Sequence, residues 1–323
     1  MCTRILWNNN KLGVFTGRTM DWPESTQPVI TVFPRGIRRD GGLAGGEVAV
    51  PENPARWTSK YGSLVTTIYG IGTADGVNEK GLAAHMLYLN ACDFGARKPR
   101  LPGVHAGLWA QFLLDGAATV KEALALLKTV QIIKVSSHGH EANVHLAIED
   151  AGGDSAIVEY IGGKAVVHHG ARYRIMTNDP TYEEQLALLK QHDFSKPSST
   201  TPLPGNVNPV DRFARVAYYL GMLPEPSSER EAIAGVLAIA RNASVPFGAP
   251  YKSFGIYNTE YRTAINLSDR RYFFELTTSP NVIWADLRRF DLKRGAPVKA
   301  LDPDNIALSG DVSKKFRRVK AAF

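Results

Sequence analysis

The chain opens Met1-Cys2-Thr3-Arg4-Ile5-Leu6-Trp7, passes through Asn8-Asn9-Asn10-Lys11, and continues Leu12-Gly13-Val14-Phe15-Thr16-Gly17-Arg18-Thr19-Met20-Asp21-Trp22. Two stretches rich in β-formers, separated by asparagines that tolerate the positive φ of a tight turn, predict a β-hairpin. With Asn9-Asn10 as a two-residue loop, Asn8 pairs with Lys11 and Cys2 falls opposite Gly17, with Arg18 and Asp21 near the same strand end. That register brings a thiol, a guanidinium and a carboxylate together.

Removal of Met1, which a small second residue permits, would make Cys2 the first residue. Its α-amine can then act as base to its own thiol. A nearby Arg18 favours negative charge on sulfur, and Asp21 can orient the amine. Position alone favours a plainer reading, a buried cysteine opening a first strand. The rest of the chain outweighs it.

Further on stand Asp75-Gly76-Val77-Asn78-Glu79-Lys80-Gly81-Leu82, Thr177-Asn178-Asp179-Pro180, Leu203-Pro204-Gly205, Asp211-Arg212-Phe213-Ala214-Arg215-Val216-Ala217, and Glu260-Tyr261-Arg262-Thr263 ahead of a paired-strand run to Phe290. Taken in order with Cys2-Thr3-Arg4 and Gly17-Arg18-Thr19-Met20-Asp21-Trp22, these motifs resemble the choloylglycine hydrolase family, which includes conjugated bile salt hydrolases and penicillin V acylases. The resemblance covers almost the whole chain.

Length and composition fit one soluble enzyme domain over residues 1–323, although this length carries a soft prior of about two domains. Hydrophobic residues make up 44% and charged residues 21%, enough for a sizeable core. No apolar run approaches the roughly 20 residues that span a bilayer, so no membrane insertion is expected. The two cysteines, Cys2 and Cys92, do not make a disulfide framework. With no secretory signal ahead of Cys2 the chain reads as cytoplasmic, or as periplasmic if Met1 replaces a removed signal peptide. The net charge of +7 raises a nucleic-acid or membrane-surface binder as a different class. Its basic residues cluster at 35–39, Arg288-Arg289 and the tail Lys314-Lys315-Phe316-Arg317-Arg318-Val319-Lys320, with no recognition motif beside them. Such runs are usually solvated faces, and no nucleic-acid partner is expected.

Strands are expected at 28–33, 64–69 and 82–89, with a Gly-rich loop at 36–54 and a turn at 78–81. Helices are expected at 105–115 and after the Thr119-x-x-Glu122 capping box, then a β-meander at 144–148, 155–160 and 165–169. Helices return at 182–191, 210–220 and after the Ser228-x-x-Glu231 box, and strands close the chain at 262–267, 272–276 and 282–286. Strands bracketing helices give an α+β class, compatible with two stacked antiparallel sheets covered by helices. The resemblance implies the four-layer αββα sandwich of N-terminal nucleophile hydrolases.

It also implies roles. Cys2 matches the family nucleophile, which forms a thioester from a linear amide. Arg18 and Asp21 match the positions beside it, and Arg212 matches a second active-site arginine that in isolation would read as a helix-surface charge. Asn178 matches an asparagine that donates to the oxyanion; alone it would read as a turn residue before Asp179-Pro180. Tyr88 matches the oxyanion-partner position, which donates a backbone N–H; bile salt hydrolases commonly have asparagine there, so the tyrosine resembles the penicillin V acylases. Trp22 and Tyr88 are expected to line the acyl site. The expected partner is a small-molecule acyl amide: penicillin V first, then conjugated bile salts, then long-chain acyl homoserine lactones. A homo-oligomer, tetramer or dimer, is implied too, although the segment between Asn178 and Arg212, which carries the family's assembly hairpin, is shortened. His138-x-His140, His145 and His168-His169 lack acidic or thiol ligands at zinc spacing, so neither metal nor cofactor is assigned.

Overall fold

The computed structural model describes residues 1–137, 139–250 and 255–323. Cys2–Trp7 and Phe15–Trp22 form the expected antiparallel pair in a different register, with Cys2 opposite Met20, Arg4 opposite Arg18 and Trp7 opposite Phe15. Residues 8–14 make the connection, so the two-residue Asn9-Asn10 turn is corrected. Asn10 explains the longer loop: its side chain accepts from the N–H groups of Leu12 (2.9 Å) and Gly13 (3.0 Å) and donates to the Trp7 carbonyl (3.3 Å). An asparagine that caps its own backbone stabilises a loop without sitting at a tight-turn position. The slip from Gly17 to Met20 is an odd number of residues, so it exchanges faces. Opposite Gly17, Cys2 would have had the Arg18 side chain on the other face of the sheet; opposite Met20, it shares a face with Arg18.

The first sheet runs Ile175–Met176, Cys2–Trp7, Phe15–Trp22, Ile256–Asn266, Arg271–Leu276, Ile283–Asp286 and Gly310–Asp311. The second runs Lys164–His169, Ser155–Ile161, Val144–Glu149, Ala83–Tyr88, Gly72–Asn78, Ser63–Ile68, Val29–Phe33, Lys299–Leu301 and Arg317–Arg318. Helices α1 (Trp109–Gly116) and α2 (Val120–Leu127) lie on the outer side of the second sheet. Helices α4 (Pro209–Met222) and α5 (Glu229–Asn242) lie on the outer side of the first, with α3 (Tyr182–Leu189) beside α4. The result is the four-layer αββα sandwich. Among the described residues, no helix is long and apolar enough to cross a membrane.

Local chemistry sets these elements. Thr119 and Ser228 accept from the N–H groups of Glu122 and Glu231, capping α2 and α5. Asn208 caps α4, whose first residue is Pro209. At the turn into Ala83–Tyr88, Gly81 takes a φ of 85° that an L side chain would resist, while the Asn78 side chain accepts from Lys80 and Leu82. Gly17 has a different reason: a Cβ there would meet Val236 of α5 at 2.4 Å, so its absence lets the helix settle onto the sheet. The closing strand begins at Ile256, ahead of the expected 262, and the Gly-rich segment contains the short strands Arg38–Asp40, Leu43–Ala44 and Glu47–Val48. No strand lies between α3 and α4.

Much of the basic charge is tied down locally. Arg35 pairs with Glu79, Arg39 with Asp115 at 3.1 Å, Arg288 with Asp286 at 2.8 Å and Arg289 with Asp311 at 2.6 Å. Arg317–Arg318 is an edge strand of the second sheet.

Facing sheets normally bury apolar side chains between them. Here a polar seam crosses that layer, built from Arg4, Thr16, Arg18, Thr263 and Tyr272 on the first sheet and Thr66, Asp75, His85 and Glu149 on the second, all buried. Arg4 Nη2 meets Glu149 at 2.6 Å, and His85 Nε2 meets the other Glu149 oxygen at 2.9 Å. Burial works to raise the Glu149 pKa, but Arg4 and His85 overcome it and hold the carboxyl at about 2. Its stabilising contribution is therefore present above the ordinary value of 4.5 and lost as the pH falls from there toward about 2. Glu149→Gln would leave Arg4 buried without its anion, so a urea titration at neutral pH should show a loss of about 3–5 kcal/mol. The gap from wild type should narrow below pH 4.5; an unchanged midpoint at neutral pH would show that the pair contributes nothing.

Candidate functional site

The corrected register puts Cys2 Sγ at 3.1 Å from Arg18 Nη2 and 3.7 Å from Met20 Sδ, all on the side facing the second sheet. Arg18 also donates from Nη1 to the Ala74 carbonyl at 3.0 Å and from Nε to the Thr19 carbonyl at 3.2 Å. Those contacts aim the guanidinium at sulfur. Burial opposes the Arg18 charge, but Cys2 first, then Tyr261 and Asp75, act the other way and keep its pKa above the ordinary value.

Asp21, one residue out of phase with Met20, projects toward the helical side. There its carboxylate accepts from Thr259 Oγ1 at 2.6 Å and Thr19 Oγ1 at 3.1 Å and lies 3.6 Å from Arg212 Nη1. A bulge between Met20 and Asp21, where the pairing jumps from Tyr261 to Thr259, brings Thr259 into reach. The expected trio is thus split, with Arg18 on the sulfur side and Asp21 behind the strand, linked through backbone. Met1 and Asp21 exchange backbone bonds: Asp21 N–H donates to the Met1 carbonyl at 2.7 Å, and the terminal amine donates to the Asp21 carbonyl. Burial pushes that amine down to about 6.

Arg212, on α4, is fully buried rather than a surface charge. It donates to the Cys2 carbonyl at 2.7 Å, to Thr3 Oγ1, to the Val207 carbonyl at 2.9 Å and to Asn178 Oδ1 at 2.8 Å. Asn178 Oδ1 also accepts from Cys2 N–H at 2.7 Å, and two donors on that oxygen fix the amide's orientation. Its Nδ2 then points to the Tyr88 carbonyl at 2.6 Å. Leu89 N–H bonds Asn143 across the ladder. Alternation therefore turns the Tyr88 N–H and C=O to the other edge of Ala83–Tyr88, where the pairing with Gly72–Asn78 has already ended at His85 and Asp75.

Asp179 and His145 carry no signal in the sequence for what they do here. The Asp179 carboxylate accepts from Asn90 and Ala91 N–H, at 3.0 and 3.2 Å, and so fastens the backbone after Tyr88 to the Asn178 segment. His145 is tied to Glu159 at 3.0 Å and to the Thr177 carbonyl at 2.9 Å. Arg4, Asp75 and His85, each the lone charged or imidazole side chain of its strand, left no local mark of the buried seam around Arg18.

Cys2 opens onto an apolar cavity of about 110 Å³ between the sheets, lined by Met20, Trp22, Ile68, Met86, Tyr88 and Val144 among others. Trp22 and Tyr88 come together as expected, ring centroids 5.8 Å apart. His140 stands edge-on to Trp22 at 5.1 Å, His169 pairs with Asp154 at 2.7 Å, and His168 packs on Tyr182 at 4.9 Å. His138 lies outside the described residues. Groups of three or more metal-ligating side chains are absent among the described residues.

The sequence profile of the linear amide C–N hydrolases, choloylglycine hydrolase family, matches residues 2–307. A penicillin V acylase from Pectobacterium atrosepticum is 35% identical, over 98% of this chain and 90% of its own length. A bile salt hydrolase/transferase from Bifidobacterium longum subsp. longum is 25% identical over 71% of this chain and 77% of its own. The solved structure of penicillin V acylase from Agrobacterium tumefaciens superposes with a TM-score of 0.88 at 39% identity, covering 99% of this chain and 98% of that one. A mutant conjugated bile acid hydrolase from Clostridium perfringens shares the fold, with a TM-score of 0.80 at 21% identity over 96% and 98% of the two chains.

The two thiols differ in setting. Cys92 is enclosed, and burial pushes its pKa up to about 12, whereas Cys2 lines the cavity beside a guanidinium. Iodoacetamide at neutral pH should therefore label Cys2 in the native protein and Cys92 only after denaturation. Peptide mass spectrometry reads this directly, and native labelling of Cys92 ahead of Cys2 would contradict the assignment.

Proposed function

Because the chain belongs to the choloylglycine hydrolase family of linear amide C–N hydrolases, we propose that it cleaves acyl amides through an N-terminal cysteine, with penicillin V, a phenoxyacetyl amide, as its first substrate class. The observation that carries this reading is the Cys2 sulfur at the floor of an apolar cavity, 3.1 Å from Arg18, under the paired rings of Trp22 and Tyr88. A flat aryl group matches such a cavity, and the sulfur lies where its acyl carbon would arrive. The penicillin V acylases among the relatives and solved structures support the same class.

Turnover on this reading begins once Met1 has been removed, since its peptide bond holds the Cys2 nitrogen. The freed α-amine takes the thiol proton and is held by Asn178 Oδ1, the acceptor Cys2 N–H already uses. The amine stands one residue from a terminus that is itself buried, so little water competes for the thiol proton it takes. Sulfur adds to the amide carbon, and the carbonyl oxygen becomes an oxyanion facing the second Asn178 Nδ2 proton and the Tyr88 N–H. Collapse breaks the C–N bond, the α-ammonium returns its proton to the departing amine, and a thioester remains. Water, deprotonated by the same α-amine, attacks the thioester and releases the carboxylic acid with the thiol restored. Arg18 stabilises sulfur whenever it carries negative charge. Arg212 holds the Cys2 carbonyl, and Asp21 lies 3.6 Å from that guanidinium as its counter-charge.

Cys2→Ala should abolish amide hydrolysis with little change in stability, and Cys2→Ser should leave far less activity than wild type. Intact-mass measurement should find the active protein without Met1. Turnover by the alanine variant removes the nucleophile assignment.

Substrate preference follows from the Trp22–Tyr88 rim. Aromatic contact adds roughly 0.5–1.5 kcal/mol beyond area burial, so penicillin V should have a higher kcat/KM than glycocholate. Tyr88→Asn should lower that ratio by up to about tenfold while the backbone N–H stays in place. A wild-type preference for glycocholate would favour the bile salt reading, and an unchanged ratio in the variant would show that Tyr88 does not set it.

A further inference from the structure

The catalytic reading uses the edge of Arg18 that meets sulfur. Its other donors go to the Ala74 and Thr19 carbonyls, which are neutral. A guanidinium enclosed between two sheets is costly without an anion near it. Asp75, the residue after Ala74, is fully buried and is clamped from both sheets. Thr263, directly opposite Arg18 in the strand pairing, donates from Oγ1 to Asp75 Oδ2 at 2.6 Å. Tyr272 donates from its hydroxyl to Oδ1 at 3.0 Å and is itself held 2.6 Å from Thr66 Oγ1. His85 Nδ1 lies 3.7 Å from Oδ2. The carboxylate is thus held still by both sheets and is bonded to the residue paired with Arg18. Beyond His85 the seam continues through Glu149 to Arg4, so acid and base alternate away from the sulfur.

We propose that Asp75 is a positioning residue for the hydrolysis, the fixed counter-charge that holds the Arg18 guanidinium against the Cys2 sulfur. Burial raises the Asp75 pKa, but His85, Arg18 and Thr263 outweigh it and keep the pKa below the ordinary value, so the group stays an anion at neutral pH. Arg18 therefore feels a permanent negative charge from Asp75 and, at the sulfur, one that appears during each cycle. A cation held from behind loses little orientation when the sulfur charge comes and goes. A purely structural cross-link between sheets would need only the hydrogen bonds from Thr263 and Tyr272.

The test separates charge from shape. The charged and titratable groups around the sulfur are the α-amine, Arg18 and Asp21 on Phe15–Trp22, Tyr261 on Ile256–Asn266, Arg212 on α4, Asp75 on Gly72–Asn78 and, around the cavity, Tyr69, Tyr88, His140 and Glu141. Asp75→Asn removes one negative charge from this set. It should lower kcat for penicillin V by about tenfold or more with KM changed less than about threefold. It should also move the pH of half-maximal Cys2 alkylation by iodoacetamide downward, on the order of one unit. Asp75→Glu restores the charge and should return the alkylation midpoint toward wild type. A folded Asp75→Asn protein with wild-type kcat, or with an unmoved alkylation midpoint, overturns the proposal. If that variant does not fold, Thr263→Val decides, since it keeps every charge and removes one clamp: a several-fold fall in kcat at constant KM supports the role, and wild-type kcat overturns it. The inference rests on Cys2 as nucleophile, whose failure would show separately as turnover by Cys2→Ala.

Discussion

A β-strand shows alternate side chains to one neighbour and the rest to the other, so the pairing of Cys2 with Met20 decides more than where a hairpin closes. It sends the sulfur, Arg18 and Trp22 toward the second sheet and the cavity, and sends Thr3, Thr19 and Asp21 toward α4. Each face then acquires its own chemistry. The inner face carries a thiol, a cation and an apolar cavity. The outer face carries the hydrogen bonds that fix the backbone on which the thiol is mounted. Had the strands paired with an even offset from the tight-turn register, the loop would still close, but that register's separation of Cys2 from Arg18 would persist.

The inter-sheet layer pays for this arrangement with buried charge. Arg4, Arg18, Asp75, His85 and Glu149 are all fully buried there, and a layer of Leu, Ile and Val would be expected to be at least as stable. What charge supplies instead is direction, because hydrogen bonds and ion pairs admit few geometries whereas apolar packing admits many. The seam begins at the Cys2 sulfur and passes from sheet to sheet, which makes the relative placement of the two sheets part of the site. Core and site are the same structure at this point.

The outer face reaches Cys2 from distant parts of the chain. Arg212 arrives on a helix, Asn178 follows an edge strand, and both bond the backbone of Cys2. Asn178 in turn bonds the Tyr88 carbonyl, and Asp179 bonds the two residues beyond the adjacent Leu89. A chain of hydrogen bonds thus ties the Cys2 strand in one sheet to the rim of the cavity in the other. No single element positions these groups.

Most element types were legible along the chain because local chemistry specifies them. Thr119 and Ser228 with their glutamates mark helix starts, Gly81 marks a positive-φ turn, and the alternating meander at 144–169 reads as strands without help. Cys2, Arg18, Asp21, Asn178 and Arg212 were picked out by motif, and the fold brings them within a few ångströms of one another, though on two faces. The hairpin register was misread because an asparagine cluster is equally good at forming a tight turn and at capping a longer loop, and local sequence does not choose between them. Nothing local at Asp75, His85 or Glu149 reveals that both faces of their strands will be covered. Sequence by itself determined which segments become strands and helices and which residues are chemically able to act. Tertiary structure alone decided strand parity and the closing of one sheet over the other, because both depend on contacts between segments far apart in the chain, and those contacts put the charge beside the sulfur.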